Sequence, residues 1–188
     1  MKRINPRLSI LFLVCLSLAL TINALYAGQA HSDDVSEHPS CPICGMDRHK
    51  FSHSRILIDY DDGSQFGACS LHCAAIDMAY NLDKGPVSIQ VGDYDTRQLI
   101  DAQSAAWVVG GKKMGVMTKN AKWAFADKKS AEAFIAENGG LLTDFETAIK
   151  GAYTEMYTDT RMIREKRKMK RAKMKKGEKM SHGSGSHN

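Results

Sequence analysis

Four cysteines, arranged as two pairs, give the clearest chemical signal in the sequence. The first pair is Cys41-Pro-Ile-Cys44, directly before Gly45, and the second pair, Cys69 and Cys73, follows after 24 intervening residues. A Cys-x-x-Cys turn that ends at glycine directs two sulfur atoms toward one point. Thiolates are soft ligands that favour Cu(I) and Zn over Ca or Mg. The pattern therefore predicts a soft-metal site that uses some or all of these four side chains.

Two other uses of the cysteines stay open at this stage. The sequence has a fifth cysteine, Cys15, within the predicted export signal, so the mature chain would keep four. Structural disulfides would suit an exported protein with this even number of cysteines. A catalytic redox pair would need a strand before the Cys-x-x-Cys motif and a helix after it, and the sequence shows neither. The sequence also contains no paired catalytic carboxylates in a motif, no Ser/His/Asp signature and no phosphate-binding loop. It therefore predicts a binding protein that is not an enzyme.

Methionine is the second chemical signal, because a thioether is a soft neutral ligand that suits Cu(I) and binds Zn poorly. Met46 belongs to the first cysteine motif, and Met117 lies in an irregular loop where packing explains it less well. For Met117 the roles of ligand and of packing residue are both open. His72 is a further candidate, although a residue in the first turn of a helix is more often exposed. The predicted metal ligands are Cys41, Cys44, Met46, Cys69, Cys73 and Met117.

The surrounding patterns predict an α+β fold of two tandem β-β-α-β units, which must position these side chains. The units span residues 41–91 and 106–143, and residues 92–105 connect them. Strands are predicted over residues 54–60, 65–69, 87–91, 106–109, 122–126 and 141–142, and helices over 71–82 and 130–138. With Ser70 as the N-cap, Cys73 would lie in the first helical turn, where the helix dipole favours a thiolate.

The first 27 residues predict a secretory signal peptide. Basic residues precede an apolar run that begins at Leu8, and a weaker stretch ends at the small residue Ala27. These are the parts of an export signal with cleavage after Ala27. An uncleaved membrane anchor is the alternative, but polar residues interrupt its last part. We therefore expect export, followed by a flexible polar lead over residues 28–40.

Length and composition are those of an ordinary globular chain with one or two small domains. Of 188 residues, 43% are hydrophobic and 25% are charged, which excludes a collagen, a coiled-coil rod and a wholly disordered chain. A polytopic membrane protein is excluded because only one apolar stretch approaches the length that spans a membrane. The net charge of +5 is the sum of segments with opposite charge. Residues 28–160 carry 12 basic and 19 acidic side chains (net −7), whereas residues 161–188 carry 11 basic and two acidic ones (net +9).

The C-terminal part is predicted to be a helix that fades into a basic tail. A capping-box pattern that begins at Thr143 opens a predicted helix over residues 144–165. Residues 166–188 are predicted to form a disordered basic tail, in which His182 and His187 are weak metal candidates. Such a tail can contact an anionic membrane surface or an acidic partner. Nucleic acid is not expected, because the tail has no interleaved aromatic residues.

Taken with these motifs, the sequence resembles the NosL family, the copper-binding accessory proteins of nitrous oxide reductase. The resemblance rests on Cys41-Pro-Ile-Cys44-Gly-Met46, Trp107-Val-Val-Gly110, Ala124-Phe-Ala-Asp127, Ala131-Glu-Ala-Phe134 and Gly139-Gly140. It implies a periplasmic Cu(I)-binding protein with two β-β-α-β-like halves, related to the organomercurial lyase accessory fold. It also implies that Cys41, Cys44 and Met46 form the metal motif and that Met117 matches the methionine of the family's Gly-Pro-Met.

The second pair of cysteines departs from that family. Cys69 and Cys73 resemble instead the heavy-metal modules of the TRASH or YHS type, in which two cysteine pairs share one metal. We expect a periplasmic Cu(I) metallochaperone that delivers copper to a cupro-enzyme such as nitrous oxide reductase. The alternative is a zinc- or heavy-metal-binding module with a structural or sensing role and a four-cysteine site. A thiol oxidoreductase or an organometal lyase ranks last.

Overall fold

The computed structural model describes residues 30–183, and it describes side-chain surroundings for residues 34–175. The predicted signal peptide and His187 lie outside the described residues. The described elements are, in chain order, α1 (Ala30–Glu37), β1 (Ile56–Tyr60), β2 (Gln65–Ala68), α2 (Leu71–Tyr80), β3 (Pro86–Gly92), β4 (Leu99–Asp101), β5 (Ala106–Val109), β6 (Lys122–Phe125), α3 (Lys128–Asn138), β7 (Leu141–Thr143) and α4 (Phe145–Gly183). None of the helices in this described part is long and apolar enough to cross a membrane.

The first β-β-α-β unit forms an antiparallel sheet in the order β2-β1-β3-β4. The hairpin from β1 to β2 closes at Gly63, whose φ of +80° suits a glycine in a tight turn. The helix α2 packs beside the sheet, and the Tyr60 hydroxyl donates a hydrogen bond of 2.6 Å to Asp77 Oδ2 on that helix. Because β1 and β2 are antiparallel, with Ile56 opposite Ala68, the cysteines that precede β1 and follow β2 come to the same end of the unit.

The second unit repeats this arrangement, with the antiparallel order β6-β5-β7. Its first strand is again central, flanked by the second strand and by the strand that returns after the helix. The predicted α+β fold of two tandem β-β-α-β units is therefore confirmed. Alternation, short apolar runs and turn signals located these strands, and the apolar runs fit β1 and β6, which are buried along nearly their whole length.

Two segments are more ordered than the sequence indicates. The predicted connector over residues 92–105 contains β4, which pairs with β3 and adds an edge strand to the first sheet. The lead over residues 28–40, expected to be flexible, instead contains α1. The cause is Asp34, which is 4% exposed and forms ion pairs with the buried Arg48 and Arg55.

The C-terminal helix is much longer than the predicted 144–165. The helix α4 continues to Gly183, so the expectation of a disordered tail from residue 166 is wrong over the described residues. Lysine, arginine, glutamate and methionine are good helix formers, and the charge run therefore extends the helix instead of ending it. Asp144 caps its N-terminus by accepting a 2.8 Å hydrogen bond from Thr147 N, a role that the capping-box pattern had given to Thr143.

Aromatic side chains join the two sheets. The ring of His53, ahead of β1, lies 5.5 Å from that of Trp123 on β6 and 5.8 Å from that of Tyr94, between their centroids. Asp93, at the end of the first unit, is 2% exposed and accepts a 3.0 Å hydrogen bond from Ala126 N in the second. The two units therefore share one continuous core.

Candidate metal centre

The first pair of cysteines lies in a closed loop over residues 41–46, which a further series of turns over residues 47–54 joins to β1. Gly45 N donates a 2.7 Å hydrogen bond to Cys41 O, and Cys41 N donates a 2.9 Å hydrogen bond to Met46 O. Gly45 has a φ of +74°, a conformation that glycine adopts without steric cost. The turn thus folds back on itself and brings Cys41 and Cys44 to the same side.

The second pair spans the junction between β2 and α2. Ser70 is the N-cap of α2, as the sequence predicts, and Cys73 N donates a 3.1 Å hydrogen bond to Ser70 O. Cys69 therefore precedes the helix and Cys73 lies in its first turn. The positive end of the helix dipole is close to both sulfur atoms. The thiolate expected at Cys73 is nevertheless not favoured, because hydrogen bonds with Cys41 and Cys44 raise its pKa.

The four thiols meet at one point. Their Sγ atoms all lie within 4.8 Å of one another, with 3.3 Å between Cys44 and Cys69 and 3.8 Å between Cys69 and Cys73. A disulfide bond would require about 2.05 Å, and all four cysteines are free in the structure. A tetrahedral ion with bonds of about 2.3 Å separates its sulfur ligands by about 3.8 Å. The cluster therefore fits one soft metal ion without rearrangement of the backbone.

Burial makes the cluster asymmetric. Cys41, Cys69 and Cys73 are at most 1% exposed, whereas Cys44 is only partly buried. Water and other thiols can therefore approach the cluster from the side of Cys44. A ligand at an accessible edge is the one that a second protein can replace.

Hydrogen bonds among the four thiols lower the pKa of two of them and raise the pKa of the other two. Hydrogen bonds with Cys44, Cys69 and Cys73 lower the pKa of Cys41 far below its ordinary value. The pKa of Cys44 is lowered as well, since its bonds with Cys69 and Cys73 outweigh the opposing effect of Cys41. The pKa values of Cys69 and Cys73 are raised, first by their bonds with Cys41. A bound cation replaces the shared protons, so metal binding releases protons.

A buried guanidinium group holds the two cysteine segments together. Arg48 is fully buried, and its Nε donates a 3.1 Å hydrogen bond to Ala68 O, next to Cys69. Its Nη2 donates to Asp34 Oδ2 at 2.9 Å and to Ile56 O at 3.1 Å. Sequence reasoning missed this residue, because arginine is usually a surface residue and nothing in the local pattern indicates burial.

The predicted methionines lie beside the thiol cluster. Met46 and Met117 line one cavity together with Met162 of α4, a residue that the sequence analysis did not single out. Met117 has a φ of +60°, which is uncommon for a residue with a side chain and occurs often at functional sites. No periodic signal pointed to Met162, because its position depends on how α4 packs against the two loops.

His72 is buried, contrary to the expectation that a first-turn residue would be exposed. It is 3% exposed, and its Nδ1 lies 3.7 Å from Oδ2 of Asp159 on α4. Asp159 is also buried, and its Oδ1 accepts a 2.9 Å hydrogen bond from Lys119 N. The helix α4 covers this side of α2, so His72 faces α4 and the four thiols remain the cluster's donors.

The fold has two β-β-α-β units, and the first of them carries four free thiols that form a candidate site for one soft metal ion. The NosL family model matches residues 32–153, and the chain belongs to the NosL family. Its resemblance to that family is therefore confirmed, and the match includes all four cysteines, Met46 and Met117.

One solved structure provides a further comparison. The crystal structure of the copper chaperone NosL from Shewanella denitrificans is 24% identical to this chain, with a TM-score of 0.48. The similarity covers 63% of this chain and 92% of that chain. No curated protein gives a significant match. Most of α4, including Met162, lies beyond the residues that the family model matches.

Proposed function

We propose that this protein is a Cu(I) metallochaperone of the periplasm, which delivers copper to a cupro-enzyme such as nitrous oxide reductase and catalyses no reaction itself. The observation that carries the proposal is the convergence of four free thiols, all within 4.8 Å of one another, with Cys44 at the accessible edge. Copper is the cargo in this proposal, and the cluster is its carrier.

The donor set supports Cu(I) as the ion. Thiolates bind both Cu(I) and Zn, but thioethers bind Cu(I) well and Zn poorly. Met46 follows Cys44 by two residues and lines the cavity beside it, and Met117 lines the same cavity. A purely structural zinc site would gain nothing from these two thioethers.

The burial pattern supports transfer by ligand exchange. An incoming thiol or thioether of the acceptor could reach the ion from the side of Cys44 while the three buried cysteines still hold it. Each step then exchanges one soft ligand for another, and the ion never enters water. The acceptor is expected to present soft donors of its own.

A zinc or heavy-metal module with a four-cysteine site is the second candidate, and one observation favours it. The Sγ separations of 3.3 and 3.8 Å are close to those of a closed tetrahedral site. In that case the ion would tie the loop before β1 to the start of α2 and would stabilise the first unit. Removal of the metal would then unfold residues 41–91.

The decisive experiment combines metal content, thiol count and Cu(I) competition on the chain that begins at residue 28, purified from the periplasm without chelator. We expect about one tightly bound Cu(I) per chain and free thiols after its removal. Cys41→Ser or Cys44→Ser should weaken Cu(I) binding by more than about tenfold, equivalent to 1.4 kcal/mol. Met114→Leu is the control, because Met114 is 81% exposed and should leave binding unchanged.

Three results would contradict the proposal. Wild-type Cu(I) affinity in both cysteine variants would exclude the cluster as the binding site. One zinc per chain with four protected thiols, and loss of far-UV signal after chelation, would favour the structural module. Absence of both metal and free thiols would indicate disulfides.

A further inference from the structure

A cavity beside Cys44 is lined by three thioether side chains from three separate parts of the chain. Met46 comes from the cysteine loop, Met117 from the loop between β5 and β6, and Met162 from α4. The cavity has a volume of about 240 Å³ and opens to solvent. Methionine often fills irregular gaps in a core, but packing residues close a gap, and these three side chains surround open space.

The protein holds each wall of this cavity in place. The main chain of the Met117 loop is fixed by the hydrogen bond of 2.9 Å from Lys119 N to Asp159 Oδ1 on α4. The helix is also joined to the cysteine loop, because Arg167 Nη2 donates a 2.7 Å hydrogen bond to Cys44 O. The helix α4 is therefore tied both to the Met117 loop and to the cysteine loop, which are the other two walls of the cavity.

The chemistry of the lining selects a soft monovalent ion. Thioethers are neutral and soft, and they bind Cu(I) in preference to Zn, Ca or Mg. Among the described residues that line the cavity, none carries a carboxylate, an imidazole or a thiol. The one side-chain oxygen in the described lining is the Thr118 hydroxyl, which already donates a 3.1 Å hydrogen bond to Asn120 O. The three thioethers therefore suit Cu(I) better than a hard cation.

The positive charges around the cavity favour weak, short-lived binding of a cation over tight binding. Lys166 and Arg167 line it, so a cation inside meets positive charge that no carboxylate of the described lining compensates. The thiol cluster next to it becomes anionic when its protons are displaced, and thiolates are stronger ligands for Cu(I) than thioethers. An ion in the cavity therefore moves toward Cys44, and an ion that leaves Cys44 finds an intermediate ligand set.

We propose that Met46, Met117 and Met162 form a second, labile Cu(I) site through which copper enters and leaves the four-cysteine cluster. The proposal rests on the proposed function and adds to it a ligand, Met162, from the part of the chain that the family model does not match. The helix α4 thereby contributes to metal transfer.

The test follows the methionine methyl groups by NMR during a Cu(I) titration. The chain from residue 28 is labelled with ¹³C at the methionine methyl carbon and kept reduced. After the thiol cluster is filled, further Cu(I) should shift the signals of Met46, Met117 and Met162. The signals of Met169 and Met174, which are 57% and 59% exposed on the same helix, should stay in place.

A matched pair of variants isolates Met162. Met162→Leu should abolish binding of the second Cu(I) and slow the release of the first Cu(I) to a chelator by about tenfold, while its affinity remains that of wild type. Met169→Leu should behave as wild type in both measurements. Exchange of methionine for leucine conserves volume and is tolerated in folded proteins, so both variants should fold.

The outcomes separate this inference from the proposed function. If the thiols bind Cu(I) tightly but the Met162 methyl signal does not move, or if Met162→Leu releases copper as fast as wild type, the second site does not exist. If the thiols themselves fail to bind Cu(I), the proposed function is wrong, and the inference of a second site is then wrong as well.

Discussion

At the scale of single residues, the most consequential side chain outside the thiol cluster is Arg48. Its guanidinium group is fully buried and donates to the carbonyl oxygens of Asp34, His38, Ile56 and Ala68 and to the Asp34 carboxylate. The planar fork of arginine can serve several acceptors at once, which a lysine cannot do. One side chain thus fixes α1, β1 and the end of β2 around the metal site.

Arg48→Met should therefore destabilise the protein severely. It removes five buried or partly buried hydrogen bonds and one of the two positive charges that face Asp34. Breaking a buried ion pair costs about 3–5 kcal/mol, and we expect a loss in that range in the free energy of unfolding. Urea unfolding followed by circular dichroism measures it.

Lys50→Met is the control for that substitution. Lys50 lies in the same loop but is exposed, so its replacement should change stability by less than about 0.5 kcal/mol. An equal loss of stability in both variants would show that the Arg48 network does not position the site.

The residue scale also shows what the sequence could reveal about the site. The four cysteines were identifiable because their spacing and the adjacent glycine follow from the geometry of a metal-binding turn. Arg48 and Met162 were not identifiable, since each depends on which distant segment packs against it. Their roles as buried donor and cavity wall arise only from tertiary contacts.

At the scale of elements, prediction succeeded where the signal was local. The strands β1, β2, β3, β5 and β6 show alternation or short apolar runs with turn signals beside them. Their bounds differ from the predicted ones by at most two residues. The helix α1 and the strand β4 carry no such signal. They form because Asp34 pairs with buried arginines and because β3 offers an edge.

The contact between the two sheets predicts a dependence of stability on pH. Burial lowers the pKa of His53, and the charge of Arg97 adds to this effect. The unfolded chain therefore binds a proton near pH 6.5 that the folded chain does not bind until a lower pH. The contribution of neutral His53 is present above about pH 6.5 and is lost as the pH falls through this interval.

His53→Phe and His53→Gln test this dependence. Both substitutions remove the titrating group, so the fall in melting temperature between about pH 7 and pH 5 should be smaller than in wild type. Only His53→Gln should lower the melting temperature at pH 7, because it also removes the aromatic contacts with Tyr94 and Trp123. A pH dependence in His53→Phe equal to that of wild type would exclude this residue as its source.

At the scale of the whole molecule, negative charge is concentrated in the body of the chain and positive charge in its C-terminal segment. Residues 28–160 carry a net charge of −7 and residues 161–188 a net charge of +9. Because α4 has 39 residues, it is about 58 Å long. From residue 164 to residue 175 its side chains are exposed, although Arg167 still donates a 2.7 Å hydrogen bond to Cys44 O in the body. The protein therefore presents a positively charged rod that begins beside the proposed copper cavity.

This arrangement predicts binding to anionic membranes through the helix, with the metal site held near the surface. Each lysine or arginine near an anionic surface contributes about 1 kcal/mol. The triple variant K168E/K170E/K173E should therefore lose binding to vesicles that contain anionic phospholipid.

The variant K50E/K113E/K129E changes the net charge equally, but on exposed residues of the body, and should retain binding. Sedimentation with vesicles at low salt measures this, and binding should weaken at 0.5 M salt, where charges are screened within about 4 Å. Equal loss in the two triple variants would mean that net charge alone governs the interaction, and binding to neutral vesicles would mean that the helix inserts by apolar contact.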